Sequence, residues 1–227
     1  MSEPRRMIVG MSGSTGLVYG IELLKVLRQL GIETHLIITK AAEIVRAQES
    51  DLTSQELRKL ADHYHHIDNL AAPISSGSYK TMGMIIAPCS MRSLGEIANS
   101  ITSNLLTRAA EVVLKERRRL VLLTREFPLT AAHLKNMVAV TEMGGVIAPP
   151  TPAFYFHPRT IEDIVSQTVG RTLDLFDLDA KNFPRWDGNI TSPRNNGSKV
   201  NGAHIKEEND FIIPQPLSSE VVMATIS

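Results

Sequence analysis

The sequence lacks the features of a secreted or membrane-spanning protein. Its 227 residues include a single cysteine, Cys89, so no internal disulfide can form and a reducing compartment is the simplest expectation. No apolar run approaches the length of about 18 residues that a transmembrane helix needs. No apolar signal core follows the first six residues. We therefore expect a cytoplasmic protein with no membrane association.

Net charge is also missing, because 24 lysines and arginines balance 24 aspartates and glutamates. A neutral chain has no overall field with which to hold a nucleic acid or an anionic membrane. The length of 227 residues suits one domain, or one domain with an appendage, whereas two full domains would be crowded. From about Asp179 onward, Asn, Gly, Ser, Pro and charged residues dominate, which predicts a C-terminal tail outside the core.

Short apolar runs alternate with segments of helical periodicity along most of the chain. Leu17, Ile21 and Leu24, for example, recur three or four positions apart, which indicates an amphipathic helix. The runs predict five strands, at 7–10, 34–39, 82–87, 120–124 and 146–148. The periodic segments predict helices at 16–30, 41–48, 54–61, 105–117, 131–143 and 160–176. This alternation predicts a parallel sheet covered by helices on both faces.

Ligands of an open parallel sheet bind beyond the carboxyl ends of its strands, and the first such loop is the most informative. Residues 11–16, Met-Ser-Gly-Ser-Thr-Gly, leave backbone N–H groups free at a helix N-terminus, which suits a phosphate. The loop is no P-loop, because it lacks Gly-Lys-Ser/Thr. In the dinucleotide fingerprint, Met11 replaces the first glycine, and Thr39 and Lys40 replace the ribose-binding acid. A mononucleotide or another phosphorylated ligand therefore fits better than NAD.

Polar residues after the third and fourth predicted strands leave two interpretations open. Ser90, Arg92 and Ser93 suit either a phosphate site or an ordinary helix cap, with Cys89 packed as a small apolar residue. Arg125 and Glu126 follow the fourth predicted strand. Glu126 can serve as an acid or base, or it can form a surface ion pair with Arg125. The sequence therefore indicates a ligand-binding edge without deciding the role of each residue.

Two further charged groups are ambiguous. Arg108 and Lys115 lie seven positions apart and share one face of a predicted helix, which suits either a phosphate or a solvated stripe. The histidine-rich stretch 63–68 makes zinc conceivable, yet no cysteine accompanies it and its spacing matches no zinc finger. We predict a solvated helix end there and no metal site.

Several motifs occur in a specific order along the chain. They are Gly-Ser-Thr-Gly at 13–16, Glu49, Ile-Ser-Ser-Gly-Ser at 74–78, Pro-Cys-Ser-Met at 88–91, the segment 108–116, Arg-Glu at 125–126 and Pro-Ala-Phe-Tyr at 152–155. This order resembles the UbiX-like flavin prenyltransferases, including the small subunits of phenolic acid decarboxylase systems, from about Met7 to Trp186. The resemblance implies a Rossmann-like (flavodoxin-like) three-layer doubly wound parallel sheet. It places the domain at 1–186 and leaves 187–227 as a tail that is flexible or wraps a neighbouring subunit.

The resemblance also implies a reaction and its partners. Such enzymes join the dimethylallyl group of dimethylallyl phosphate to N5 and then C6 of reduced FMN, without a metal. The prenylated FMN serves a UbiD-like decarboxylase. The family forms large homo-oligomers with sites built between subunits, and a dodecamer is the candidate assembly that the resemblance suggests.

The resemblance assigns roles to residues by their positions in the motifs. The implied FMN contacts are Gly13, Ser14, Thr15, Thr39, Ser90, Met91, Arg92, Ser93 and Arg125. The implied catalytic residues are Thr15, Glu49, Lys115 and Glu126. The prenyl phosphate would be held by Lys115, Tyr155 and Arg171, with Arg108 and Trp186 completing the pocket.

Two other functions stay open from the sequence. A flavin-dependent cysteine-type decarboxylase shares the sheet architecture but carries a Pro-x-Met-Asn motif, whereas this chain has Pro-Cys-Ser-Met at 88–91. A non-catalytic FMN-binding subunit is the second alternative. It would not need the set of Lys115, Glu126, Tyr155 and Arg171, so the presence of these four residues disfavours it.

Overall fold

One six-stranded sheet organises the residues that the computed structural model describes, namely 5–181, 183 and 185. Its strands are β1 (Arg6–Met11), β2 (Glu33–Ile38), β3 (His63–His65), β4 (Gly83–Cys89), β5 (Arg119–Thr124) and β6 (Val146–Ile147). All pair in parallel, in the order β3-β2-β1-β4-β5-β6. The order reverses direction between β1 and β4, which is where doubly wound sheets open their binding crevice.

Helices cover both faces of this sheet. They are α1 (Leu17–Gln29), α2 (Lys40–Glu49), α3 (Ser54–Lys59), α4 (Met91–Ala98), α5 (Leu105–Lys115), α6 (Ala131–Glu142) and α7 (Ile161–Asp174), with a short 3-10 turn at Pro73–Ser75. One apolar cluster joins the sheet to α1, α3 and α7, and a second joins its other face to α4, α5 and α6. The predicted three-layer doubly wound sheet is confirmed. No helix within the described ranges combines the length and apolarity needed to cross a membrane.

Burial explains why the strands read as continuous apolar runs. All seven residues of β4 are buried, and in β1 and β2 only the first residue is partly exposed. A strand covered on both faces has no polar side, so it shows no alternation. The five predicted strands are confirmed, and among them β6 is only partly buried. The predicted boundary near Trp186 and the tail 187–227 lie outside the described residues.

The segment His63–His65 corrects the prediction of a solvated helix end, which was wrong. It forms β3 at the edge of the sheet, where His63 is the register partner of His35. A three-residue strand is too short to show a periodic pattern of its own. Its conformation follows from pairing with β2, which lies almost 30 residues away in the sequence.

Candidate active site

The loop after β1 is held by a carboxylate from another helix. Gly16 adopts a left-handed conformation (φ 103°) before α1, and this helix has no side-chain cap from its own N-terminus. Glu49, the last residue of α2, replaces that cap. Its Oε2 accepts the N–H groups of Gly16 at 2.9 Å and Leu17 at 3.0 Å. A negative charge at a helix N-terminus is favourable, so this contact positions Glu49 against the loop.

The surroundings of Glu49 keep its carboxylate ionised. Partial burial by itself would raise its pKa. Hydrogen bonds from the Thr15 side chain and the N–H groups of Gly16 and Leu17, together with the charge of Arg125, outweigh that effect and lower the pKa below its ordinary value. The structure therefore brings together three of the predicted site residues, Thr15, Glu49 and Arg125, beside the crevice.

Ser12 connects the two loops that flank the crevice and was missed from the sequence. Its side chain is fully buried between β1 and β4. Ser12 Oγ donates to the carbonyl of Pro88 at 3.2 Å and accepts the N–H of Ser90 at 2.7 Å. The available sequence signal was a hydroxyl directly after an apolar strand. Its role became visible only once β1 and β4 were known to be neighbours.

A cavity of about 250 Å³ lies between the loops and the first turns of α2 and α4. Its lining includes five predicted cofactor contacts, namely Gly13, Thr39, Ser90, Arg92 and Ser93. Gly13 is required there, because a Cβ at this position would lie 2.3 Å from the Cβ of Ala41. Two helix N-termini and an arginine make the cavity suitable for a phosphate group.

The hydroxyls of this cavity also cap helices. Thr39 Oγ1 accepts the N–H of Ala42 at 3.1 Å, and Ser90 Oγ accepts the N–H of Ser93 at 3.3 Å. Cys89 is fully buried beside Ser90. The cap interpretation of Ser90 is therefore correct, and a phosphate role stays a prediction beside it. A cap satisfies only one or two of the four free N–H groups of a helix N-terminus, so the two roles are compatible.

Met91 and Arg92 have contacts of their own within the chain. The Met91 side chain packs against the second apolar cluster. Arg92 Nε lies 3.0 Å from Oε1 of Glu96, one helical turn further along α4, and its side chain is largely exposed. Their predicted contacts with FMN stay predictions.

Two buried hydroxyls near the crevice have no hydrogen-bond partner among the described residues. Ser14 Oγ lies in the loop after β1, and Thr124 Oγ1 lies at the carboxyl end of β5. Buried polar atoms are nearly always hydrogen-bonded in folded proteins. The unpartnered hydroxyl of Ser14 and the close backbone at Gly13 fit a bound group such as FMN, which would supply the missing partner.

Arg108 and Lys115 of α5 both face the segment 75–77. Arg108 Nε donates to the carbonyl of Ser75 at 3.3 Å, and a Cβ placed on Gly77 would lie 2.9 Å from Lys115 Nζ. The predicted shared face is thereby confirmed. Arg108 pairs with Glu111, and Lys115 pairs with Glu116. Both cationic side chains are half-exposed. Their predicted contacts with the prenyl phosphate stay predictions.

The remaining predicted residues lie in a different part of the chain. Arg171 lines a cavity of about 320 Å³ with Gln167, and its Nη1 lies 2.7 Å from Oδ2 of Asp174. Gln167 Nε2 donates to the Tyr155 hydroxyl at 3.4 Å. Lys115, by contrast, lines a separate cavity of about 430 Å³. The described chain therefore does not bring Lys115 and Arg171 into one pocket.

Glu126 lies at the exposed edge beyond β5. Its Oε1 accepts the N–H of Phe127 at 3.1 Å, and within the described part of the chain it does not pair with Arg125. The surface ion pair considered from the sequence is therefore not formed in this part of the chain. Its predicted acid/base role stays a prediction, and Trp186 lies outside the described residues.

Replacing Ser14 with alanine is expected to weaken FMN binding by about tenfold without loss of stability, because the hydroxyl has no partner within the described chain. Flavin fluorescence titration and urea unfolding measure the two quantities. Ser12→Ala is the contrasting variant. It leaves the partly buried N–H of Ser90 without its acceptor and is expected to cost about 1–3 kcal/mol of unfolding free energy. Unchanged FMN affinity in Ser14→Ala would remove Ser14 from the cofactor site.

Comparison with known sequences identifies the family. Residues 1–173 match the flavoprotein family. The chain is 52% identical over 184 residues to the flavin prenyltransferase UbiX of Neisseria meningitidis. The aligned residues cover 81% of this chain and 97% of that protein. It is 49% identical over 183 residues to a probable UbiX-like flavin prenyltransferase of Bacillus subtilis, covering 81% of this chain and 90% of that one.

Comparison with solved structures agrees with the sequence relatives. The chain is similar to AnUbiX (PadA1), solved in complex with FMN and dimethylallyl pyrophosphate, with 50% identity and a TM-score of 0.81 over 82% of this chain and 99% of that one. It is also similar to a dodecameric FMN-dependent UbiX-like decarboxylase of Escherichia coli O157:H7, with 46% identity and a TM-score of 0.79 over 81% and 100% of the two chains.

A likeness to the cysteine decarboxylases is much weaker. TvaF, an FMN-dependent cysteine decarboxylase from thioviridamide biosynthesis, is 21% identical with a TM-score of 0.52, which shows a shared fold alone. The alternative of a cysteine-type decarboxylase is therefore disfavoured. The chain belongs to the flavoprotein family and, within it, to the UbiX-like flavin prenyltransferases.

Proposed function

We propose that this protein transfers a dimethylallyl group from dimethylallyl phosphate to reduced FMN, at N5 and then C6. The observation that carries the proposal is the cluster of Thr15, Glu49 and Arg125 beside the crevice. This cluster occurs in a chain 50% identical to the AnUbiX that was solved with FMN and dimethylallyl pyrophosphate. Prenylated FMN would then pass to a UbiD-like decarboxylase.

The residues around the crevice would bind the flavin and transfer protons to and from it. The N-termini of α2 and α4, with Gly13, Thr39, Ser90 and Ser93, would bind the phosphate of FMN. Reduced FMN supplies the nucleophilic ring when it is bound. The carboxylate of Glu49, hydrogen-bonded to the Thr15 hydroxyl, would accept or return a proton at the reacting edge of the flavin.

Departure of the phosphate without a metal requires fixed positive charge. Lys115, Arg108 and Arg171 would supply it, because cations placed where negative charge develops stabilise a transition state in a site that excludes water. Tyr155 and Trp186 would face the allylic group, where aromatic rings stabilise developing positive charge and exclude water. Glu126 would act as the acid or base for the leaving phosphate.

A complete site would need a neighbouring subunit. Within the described residues Lys115 and Arg171 line different cavities, so a single chain leaves the phosphate-holding set divided. The E. coli relative is described as dodecameric. We therefore propose a homo-oligomer, of up to twelve subunits, in which Lys115 of one subunit faces Arg171 of another. We also propose a cytoplasmic location, which the single buried Cys89 supports.

The test is an anaerobic incubation of the full-length protein with reduced FMN and either dimethylallyl phosphate or dimethylallyl diphosphate. Mass spectrometry of the released flavin should show the gain of one C5 unit, and the two donors reveal which phosphate the site prefers. FMN that stays bound and unchanged with both donors would contradict the proposal. A peptide with a C-terminal cysteine would then separate a decarboxylase from a non-catalytic flavin carrier.

A further inference from the structure

The edge of the sheet opposite β6 gathers titratable side chains on one face. Glu33 and His35 lie two positions apart on β2, and His63 and His65 lie two positions apart on β3. Side chains two positions apart point to the same face of a strand. The register pairs His35 with His63, which places the four groups side by side. None of the four lines the cavity between the crevice loops.

Two of the three distances between the ligand atoms of this cluster match those of a metal site. His35 Nε2 lies 3.1 Å and His63 Nε2 lies 3.3 Å from Oε1 of Glu33, and the three atoms all lie within 4.8 Å of one another. Two ligands bound tetrahedrally to zinc at about 2.0–2.1 Å are separated by about 3.3–3.4 Å. A zinc ion can therefore be accepted with small side-chain movements.

We propose that Glu33, His35 and His63 form a zinc-binding site at the β2–β3 edge, with a fourth position open to water. Two imidazoles and one carboxylate are a ligand set that Zn²⁺ accepts with water as the fourth ligand. His63 is 53% exposed in its side chain, whereas His35 is 3% exposed, so the ion has an entry path from one side.

The groups around the three ligands would orient them. His35 Nδ1 lies 2.9 Å from Nε2 of His65, so the second ring nitrogen of His35 has a hydrogen-bond partner that helps to orient the ring. Arg6 donates to both carboxylate oxygens of Glu33, at 3.2 and 3.3 Å.

Two neighbouring residues disfavour metal binding and limit the zinc affinity that we expect. The Tyr79 hydroxyl lies 3.1 Å from His35 Nε2 and has to move aside when a metal binds. The charge of Arg6 repels a divalent cation across Glu33. We therefore expect a site weaker than a closed structural zinc site. Bound zinc would link the edge strand β3 to β2 and so stabilise the fold. The transferase reaction should stay unchanged, because the three ligands do not line the crevice cavity.

The experiment is isothermal titration of the full-length, untagged protein with Zn²⁺ after treatment with a chelator. One Zn²⁺ per chain is expected to bind, and the melting temperature should rise with added Zn²⁺. His63→Ala removes the most exposed ligand with the least damage to the core, and its affinity should fall by more than tenfold. His65→Ala removes a positioning contact and should weaken binding by about tenfold.

The matched control is His66→Ala. His66 lies next to the cluster, is 62% exposed and contacts Asp68 instead of the three ligands. Zinc affinity and the zinc-dependent rise in melting temperature should survive in this variant. Absence of stoichiometric binding in the unmodified protein would overturn the proposal. An equal loss in His66→Ala and His63→Ala would also overturn it, by showing scattered binding to surface histidines.

Discussion

Replacing Glu49 with glutamine is expected to lower turnover by about 100- to 10,000-fold while FMN stays bound, which is the range for loss of a general acid or base. Glutamine keeps a carbonyl oxygen that can accept the N–H groups of Gly16 and Leu17, so the loop after β1 keeps its cap. What disappears is the ionised carboxylate beside Thr15 and Arg125. Turnover is measured by the anaerobic flavin mass assay, and FMN affinity by fluorescence titration.

The control for this substitution is Glu22→Gln on α1. Glu22 pairs with Lys25 at 3.8 Å and lies away from the crevice loops, so turnover should stay normal. Normal activity in Glu49→Gln would remove Glu49 from the mechanism. Loss of FMN binding in the same variant would show that the carboxylate acts through the conformation of the loop and not on the reaction.

Replacing Lys115 with alanine is expected to raise the KM for dimethylallyl phosphate by about 10- to 100-fold with little change in FMN affinity. A hydrogen bond to a charged group contributes about 1.5–3 kcal/mol, which corresponds to this range. FMN affinity should persist because Lys115 does not line the cavity of Gly13, Thr39 and Ser90. Steady-state kinetics with varied prenyl phosphate, together with flavin titration, separate the two effects.

Lys25→Ala provides a matched control for Lys115. The two side chains have similar exposure, 52% and 47%, and each pairs with a neighbouring glutamate. Removal of Lys25 should leave the KM unchanged. If FMN binding collapses in Lys115→Ala, then Lys115 supports the flavin and the assignment to the prenyl phosphate is wrong.

Most of the fold could be predicted because the burial of an element determines the pattern of apolar residues within its own short segment of the sequence. Strands buried on both faces appear as short apolar runs, and helices with one buried face appear at three- and four-residue spacing. The strand β3 could not be predicted, because three residues at a sheet edge carry no period. Its histidines resembled an exposed stretch, and only the register with His35 shows that they are packed together.

The candidate site was predictable in its loops but not in its contacts. Glycines and hydroxyls after the strands indicated the crevice, and the cavity between α2 and α4 contains several of those residues. The sequence did not show that Ser12 joins two loops, or that Glu49 caps α1. Those roles depend on which strands are neighbours and on where α2 ends relative to α1.

The sequence by itself determined the parallel α/β class, the positions of five strands and the loops that form the crevice, because apolar periodicity and turn chemistry are local properties. The tertiary structure decided which distant residues meet. Contacts such as Gly16 with Glu49, Ser12 with Ser90 and His35 with His63 join residues about 30 to 80 positions apart. Strand order, register and helix packing set these contacts, and no local pattern carries that information.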